Sequence, residues 1–206
     1  MSAPRTARQH ALDRSFYARE TEIVAHALLG SILVSVVDGE RVEGRIVETE
    51  AYIGPHDPAS HAAGRIGRTR RNTSMFGHPG TAYVYRIYGV HWCLNAVTRE
   101  LDYPAAVLIR AVQPVRGIGC MRRRRWPAQS PGPDRLLASG PGKLAAAFGI
   151  DGRLDGHDLR RPPLFLLPGE PVSARDIYSG PRIGITRAAD WPLRFYLRDC
   201  IWVSRR

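Results

Sequence analysis

An α+β fold, one domain of antiparallel strands with helices among them, is predicted by three features of the 206-residue sequence. Asp38-Gly39 is a strong turn signal between two β-prone runs, "SILVSVV" and "RVEGRIVETEAYIG". Aromatic and β-branched residues fill "TAYVYRIYGVHWCLNAV" and "YPAAVLIRAVQPV" at strand length. Around them, "TEIVAHALLG" and "SGPGKLAAAFGI" carry helical apolar spacing closed by glycine. A chain of this length builds one core, so residues 1–206 are expected to form a single domain.

In chain order, residues 1–17 carry no apolar h-region and are expected to be flexible. Thr21 is the candidate N-cap of the first helix, Ile23, Val24, Ala27 and Leu28 its apolar stripe, and Gly30 its end. The hairpin follows. "PHDPASHAAGRIGRTRRNTSMFGHPG" holds too much Gly, Pro, Ser and Asn for a long regular element, and a loop of this length is expected to be functional. The next segment breaks at Gly89, giving two strands whose reversal carries Tyr88 at its tip. Residues 119–142 turn to Arg, Pro, Gly and Ser and are expected to form an exposed loop, before a helix capped near Ser139 and closed by Gly149. The tail, from "GPRIGITRAA" onward, is expected to return a strand to the sheet.

The longest apolar stretch, "AHALLGSILVSVV", is too short and too interrupted to cross a bilayer, and a cytoplasmic location is expected. Cys93, Cys120 and Cys200 are widely spaced and form no C-x-x-C pair, which argues against a disulfide scaffold or a zinc ribbon. Of 30 basic residues only Lys143 is a lysine, and the formal net charge is +11. Guanidinium forks onto phosphate and stacks on bases, so a polyanionic partner explains this balance. Two arginine clusters stand out, Arg65, Arg68, Arg70 and Arg71, and Arg122 to Arg125; a solvated loop is the other explanation of the second.

On a strand, the period of two sends Glu48, Glu50 and Tyr52 of "VETEAYIG" to one face. Either that face is solvated, or a carboxylate is aimed at chemistry; parity does not choose between the glutamates. Arg110, isolated in "AAVLIRAV", needs an anionic partner, and a carboxylate on a neighbouring strand is the candidate. His56, His61, His78 and His91 lack the companions of a zinc set, and no metal is expected. "SGPGK" fails as a phosphate loop, with Leu137 where the first glycine belongs and Leu144 in place of the hydroxyl residue. Its helix N-terminus and Lys143 remain candidates for a backbone phosphate. Tyr83, Tyr85 and Tyr88 are core aromatics or stacking platforms for bases. Two other readings stand beside an enzyme acting on nucleic acid: a non-catalytic nucleic-acid-binding protein, and a carbohydrate glycosidase using two carboxylates roughly 6.5 to 7 Å apart.

Five blocks in order, "RIVETEAYIGPHDPASHA", "NTSMFGHPGTAYVYRIYGVHWCLN", "AAVLIRAVQPV", "SGPGKL" and "RIGITRAA", resemble the alkylpurine (3-methyladenine) DNA glycosylase family, from about Leu28 onward. The resemblance implies a single α+β domain with an antiparallel β core and a protruding, DNA-intercalating β-hairpin. It implies a monofunctional enzyme of base excision repair, a monomer without cofactor, that acts on alkylated purines in double-stranded DNA. It selects Glu50, before the "AY" dipeptide, as the catalytic glutamate, with Arg110 positioning the attacking water. Tyr52, His61, Tyr85 and Asn95 match the base pocket, and Tyr88 the intercalating wedge. Phosphate contacts are expected from Arg70, Arg71 and Lys143. Pairing with Arg110 is expected to lower the Glu50 pKa. The sequence departs from the pattern at His91 and Trp92 after the wedge, in "MRRRRWPAQSPGP", and in a shortened "AADWPLRFYL".

Overall fold

A computed structural model describes residues 10–127, 130 and 132–205. Among them, nine strands make one antiparallel sheet. After two helices, α1 (Arg14–Tyr17) and α2 (Thr21–Leu28), the chain enters β1 (Ile32–Ser35), β2 (Val42–Tyr52), β3 (Ala82–Ile87), β4 (His91–Thr98) and β5 (Ala105–Arg116). Helices α3 (Ile118–Arg125) and α4 (Pro141–Phe148) come next, then the short strands β6 (Arg160–Arg161), β7 (Leu164–Leu167), β8 (Ile177–Gly180) and β9 (Arg194–Leu197). The strand order is β3-β4-β5-β2-β1-β7-β6; β9 pairs with β2 at Glu48 to Glu50 and carries β8 on its other edge.

The predicted hairpin is β1–β2. Asp38 and Gly39, at φ 56° and 75°, make the reversal that Asp-Gly favours. Strand β2 is central and long enough to pair with β1 through its first half and with β9 through its second, while β5 runs along its other edge. The β2–β5 register shifts at Val47 and skips Arg110, so the ladder is bulged beside both glutamates. Gly54, at φ 123°, then turns the chain away; a Cβ there would lie 2.6 Å from the Tyr103 hydroxyl.

One face of the sheet is covered by helices, and Leu28, Leu33, Ile46, Ile109, Leu144 and Phe148 are fully buried in that core. Thr49 of β2 points this way and donates to the Ala25 carbonyl of α2 at 3.0 Å. Thr21 lies inside α2, behind Glu20, and its buried hydroxyl meets that of Thr98 at 2.9 Å, so it is not the predicted cap. Ile23 stays half exposed while Val24 and Leu28 are buried. Helix α4 starts from the backbone at Gly140 and Pro141, beside Ser139, and ends at Gly149 (φ 67°), as expected.

Two loop expectations are corrected. Of residues 1–17, positions 1–9 lie outside the described residues, but Asp13 caps α1 by accepting from the Phe16 N–H, and Leu12 and Tyr17 are buried. Within 119–142, where positions 128, 129 and 131 are not described, α3 takes the first part, to Arg125, and Cys120, Met121, Leu137 and Ala138 are buried, while Pro127, Ser130, Pro133 and Arg135 lie exposed on the connection that follows. The arginine run belongs to this helix, and each side chain bonds another part of the protein while Arg122 and Arg123 stay largely exposed. Arg122 forks onto Asp134 at 2.9 and 2.8 Å, Arg123 pairs with Glu40, Arg124 donates to the Val37 carbonyl at 2.9 Å, and Arg125 to that of Leu137 at 3.1 Å. Charged side chains that bond the body of the protein let a polar helix dock without an apolar stripe.

Candidate active site

The other face of the sheet floors a cavity of about 410 Å³. Antiparallel register places Tyr83, Asn95, Leu108 and Glu50 in one row across β3, β4, β5 and β2. Residues opposite one another in a ladder share a face, and so do residues two apart along a strand. That rule brings Tyr85, Cys93, Ala106, Arg110 and Tyr52 to the same floor, and all five line the cavity. The loop after β2 supplies His61 and Met75, the β3–β4 turn Tyr88, the start of α4 Pro141 and Gly142, and the segment after β8 Ile183 to Ile185.

Glu48 and Glu50 are both fully buried, so the solvated acidic face is excluded. Glu50 lies directly behind the cavity wall, and three of the wall's residues hold it. Tyr52 donates its phenolic hydrogen to Oε2 at 3.0 Å, the Ile183 N–H donates to Oε1 at 2.8 Å, and Arg110 Nη1 pairs with Oε1 at 3.1 Å. Glu48 faces a different set. Its Oε1 accepts from Arg110 Nε at 3.1 Å, Arg194 Nε at 2.7 Å and the Ser204 hydroxyl at 2.9 Å, and its Oε2 from the Ser204 N–H at 2.7 Å. The glutamates that parity leaves equivalent are thus separated by their neighbours.

Burial pushes the Glu50 carboxyl above the usual carboxylate range, and the opposing pull of Arg110, the Ile183 N–H and the Tyr52 phenol does not cancel it. This corrects the expectation of a lowered value: removal from water outweighs one shared guanidinium. Burial also works against the charge on Arg110, but Glu50 and Glu48 more than compensate and hold it above its ordinary range. Burial, then the neighbouring Glu50, raise Tyr52, which keeps its phenol a donor.

The expected pocket residues are brought together. His61 Nδ1 lies 2.7 Å from the Tyr83 hydroxyl, and its ring stands edge-on to Tyr85 at 4.5 Å. Burial, then the positive Arg71, lower the His61 pKa, favouring the neutral imidazole. The Asn95 amide donates to the Tyr83 carbonyl at 3.0 Å. Tyr88 and Gly89 sit at the hairpin tip with φ 52° and 70°, the turn closed by a Val90 N–H to Ile87 carbonyl bond of 3.2 Å. Tyr88 is 80 % exposed and Val90 63 %, an apolar pair that protrudes beside the cavity mouth.

The expected phosphate contacts divide. Arg70 is exposed on the loop before β3. Arg71 packs its guanidinium 5.5 Å from the Tyr85 ring and donates to the Arg86 carbonyl at 3.1 Å. Lys143 is half-buried on α4, with Nζ 3.5 Å from the Ser139 hydroxyl and its pKa lowered by burial and then by Arg125. Among the described residues no group of three His, Cys, Asp or Glu side chains could hold a metal ion, and no helix is long and apolar enough to cross a membrane.

Tyr83, read from the sequence as a core aromatic or a stacking platform, lines the cavity and shares the parity of Tyr85 in β3. Other site residues are missed by sequence reasoning alone. Asp57 and Arg182 form a fully buried pair at 2.5 and 2.8 Å, and Arg182 also donates to the Ala51 carbonyl at 2.9 Å. They lie 125 residues apart and carry no common pattern. Ser204 and Arg194 hold Glu48 from the far end of the chain, and Arg205 lines the cavity.

A family model described as "Methylpurine-DNA glycosylase (MPG)" matches residues 15–201. Among similar proteins, one from Carboxydothermus hydrogenoformans is 46 % identical, over 95 % of this chain and 99 % of its own length. One from Rhodopseudomonas palustris (strain BisB18) is 49 % identical over 94 % and 90 %, and one from Methanoculleus marisnigri 48 % identical over 95 % and 99 %. Each bears the name "Putative 3-methyladenine DNA glycosylase". With its buried carboxyl behind an aromatic cavity and a family match over most of its length, this chain belongs to the methylpurine-DNA glycosylase family.

Proposed function

We propose that the protein is a monofunctional DNA glycosylase that releases 3-methyladenine and related alkylated purines from double-stranded DNA. The observation that carries this reading is Glu50, held by Tyr52, Arg110 and Ile183, all three of which line one aromatic cavity. A base inside a duplex hides its glycosidic bond, so the nucleotide is turned out of the stack at a cost of a few kcal/mol, the step for which glycosylases are the standard example. Tyr88 enters from the minor groove and fills the gap, which offsets part of that cost.

The purine then lies between Tyr52, His61 and Tyr85. Electron-rich aromatic faces favour a cationic alkylpurine by about 0.5 to 2 kcal/mol. Asn95 lies on the cavity floor, where it screens the purine edge. As the C1′–N bond breaks, its electron pair leaves with the purine and positive charge develops on the sugar. A water held by Arg110 forms the new bond to C1′ and gives its proton to Glu50. The product is an abasic site in an intact strand. Lys143 is the one lysine of the chain and does not line the cavity, so no lysine amine is placed there for a Schiff base.

Base release from methylated duplex DNA tests the reading. The wild type is expected to free 3-methyladenine and Glu50→Gln to free none while still binding DNA. Equal release by both removes Glu50 from the mechanism, and activity on aryl glycosides alone replaces the substrate class.

A further inference from the structure

Residues 202–205 lie outside the stretch that the family model matches, yet they reach the centre of the site. The Ser204 hydroxyl donates to Glu48 Oε1 at 2.9 Å and accepts from Arg110 Nη2 at 3.3 Å, and its N–H donates to Glu48 Oε2 at 2.7 Å. Arg194 Nη2 donates to the next carbonyl, that of Arg205, and so pins the segment to β9. Every nitrogen of the Arg110 guanidinium then has a separate anchor: Nε on Glu48, Nη1 on Glu50 and Nη2 on Ser204. A guanidinium is a rigid plane, and three anchors at its three nitrogens fix both its position and its tilt. With the Ser204 anchor gone, the plane retains two carboxyl contacts on one side and can pivot about them.

We propose that Ser204 is a positioning residue for base release, acting through Glu48 and Arg110 to hold Arg110 Nη1 against Glu50. The inference rests on the assignment of Glu50 as the base. It gives Glu48 its part: the first glutamate of "VETEAY" is the joint between the Ser204 segment and Arg110, and the second carries the chemistry. Displacement of a positioned group by a fraction of an ångström is felt in the rate of the chemical step and not in the affinity for DNA.

The experiment is single-turnover release of 3-methyladenine from methylated duplex DNA by full-length wild type, Ser204→Ala and Ser204→Thr, with DNA affinity measured in parallel. Ser204→Ala is expected to lower the rate constant about tenfold, the equivalent of one ordinary hydrogen bond, with affinity unchanged. Ser204→Thr, which keeps a hydroxyl, is expected to recover most of the loss. At saturating enzyme the single-turnover rate constant does not depend on the folded fraction, so a purely structural effect reads differently. A wild-type rate in Ser204→Ala overturns the proposal, as does a loss confined to affinity, or a loss that Ser204→Thr fails to recover. Absence of release by the wild type itself overturns the glycosylase reading instead.

Discussion

The Arg182 guanidinium lies 4.7 Å over the ring of Tyr52, on a side chain that does not itself line the cavity. The ring is therefore backed by a cation whose charge is balanced by Asp57, with both members of that pair withdrawn from water. Removing one partner of a buried pair leaves the other uncompensated. Asp57→Asn is expected to lower the unfolding free energy by roughly 3 to 5 kcal/mol, read by urea denaturation. A change within a few tenths would show that the pair does not support the wall behind Tyr52.

Tyr52 also donates to Glu50, and this bond lowers the pKa that burial raises. Tyr52→Phe withdraws the donor and keeps the ring. The acidic limb of the pH profile for base release is expected to move to higher pH, with purine binding retained. An unmoved limb would separate the phenol from the ionisation of Glu50.

The raised value of Glu50 has a stability signature. A carboxyl whose folded pKa lies above its unfolded value binds more protons when folded, so its stabilisation is full below the unfolded value and is lost as pH rises through the folded one. Glu50→Gln carries no such loss. Its melting temperature relative to wild type is expected to climb as pH rises above about 4, given an unperturbed Glu near 4.3. A difference that falls with pH would reverse the assigned direction of the shift.

At the hairpin tip, Tyr88→Ala is expected to slow excision from duplex DNA by at least about tenfold, if the wedge contributes on the order of one stacking interaction of 1 to 3 kcal/mol. Single-stranded substrate needs no gap filled and is expected to be nearly unaffected. Equal losses on both substrates would remove the wedge role.

Much of this was legible because it follows from local rules. The alternation in "VETEAY" puts Glu48, Glu50 and Tyr52 on one face, and Asp38-Gly39 names its own turn. A lone arginine in an apolar strand announced a buried partner, and Arg110 has two. What stayed hidden depends on contacts across the chain. Helix α3 has no apolar periodicity, because it docks through guanidinium bonds to Glu40, Asp134 and backbone carbonyls that no local pattern records. The direction of the Glu50 shift is not legible, because pairing with Arg110 is visible in the sequence but the depth of burial, which the packed β2–β5–β9 layer creates, is not. Ser204 carried no signal; its part depends on where residues 201–205 come to rest.

The internal bonding of Arg122 to Arg125 bears on how the protein meets a polyelectrolyte. A phosphate has to compete with Asp134 for Arg122 and with Glu40 for Arg123, whereas Arg124 and Arg125 keep their full charge while bonded to carbonyls. Each true phosphate contact adds about 0.9 to the slope of log affinity against log ionic strength. Arg70, exposed on its loop, is expected to add more to that slope than Arg122 or Arg123, whose alteration also changes how firmly α3 is held.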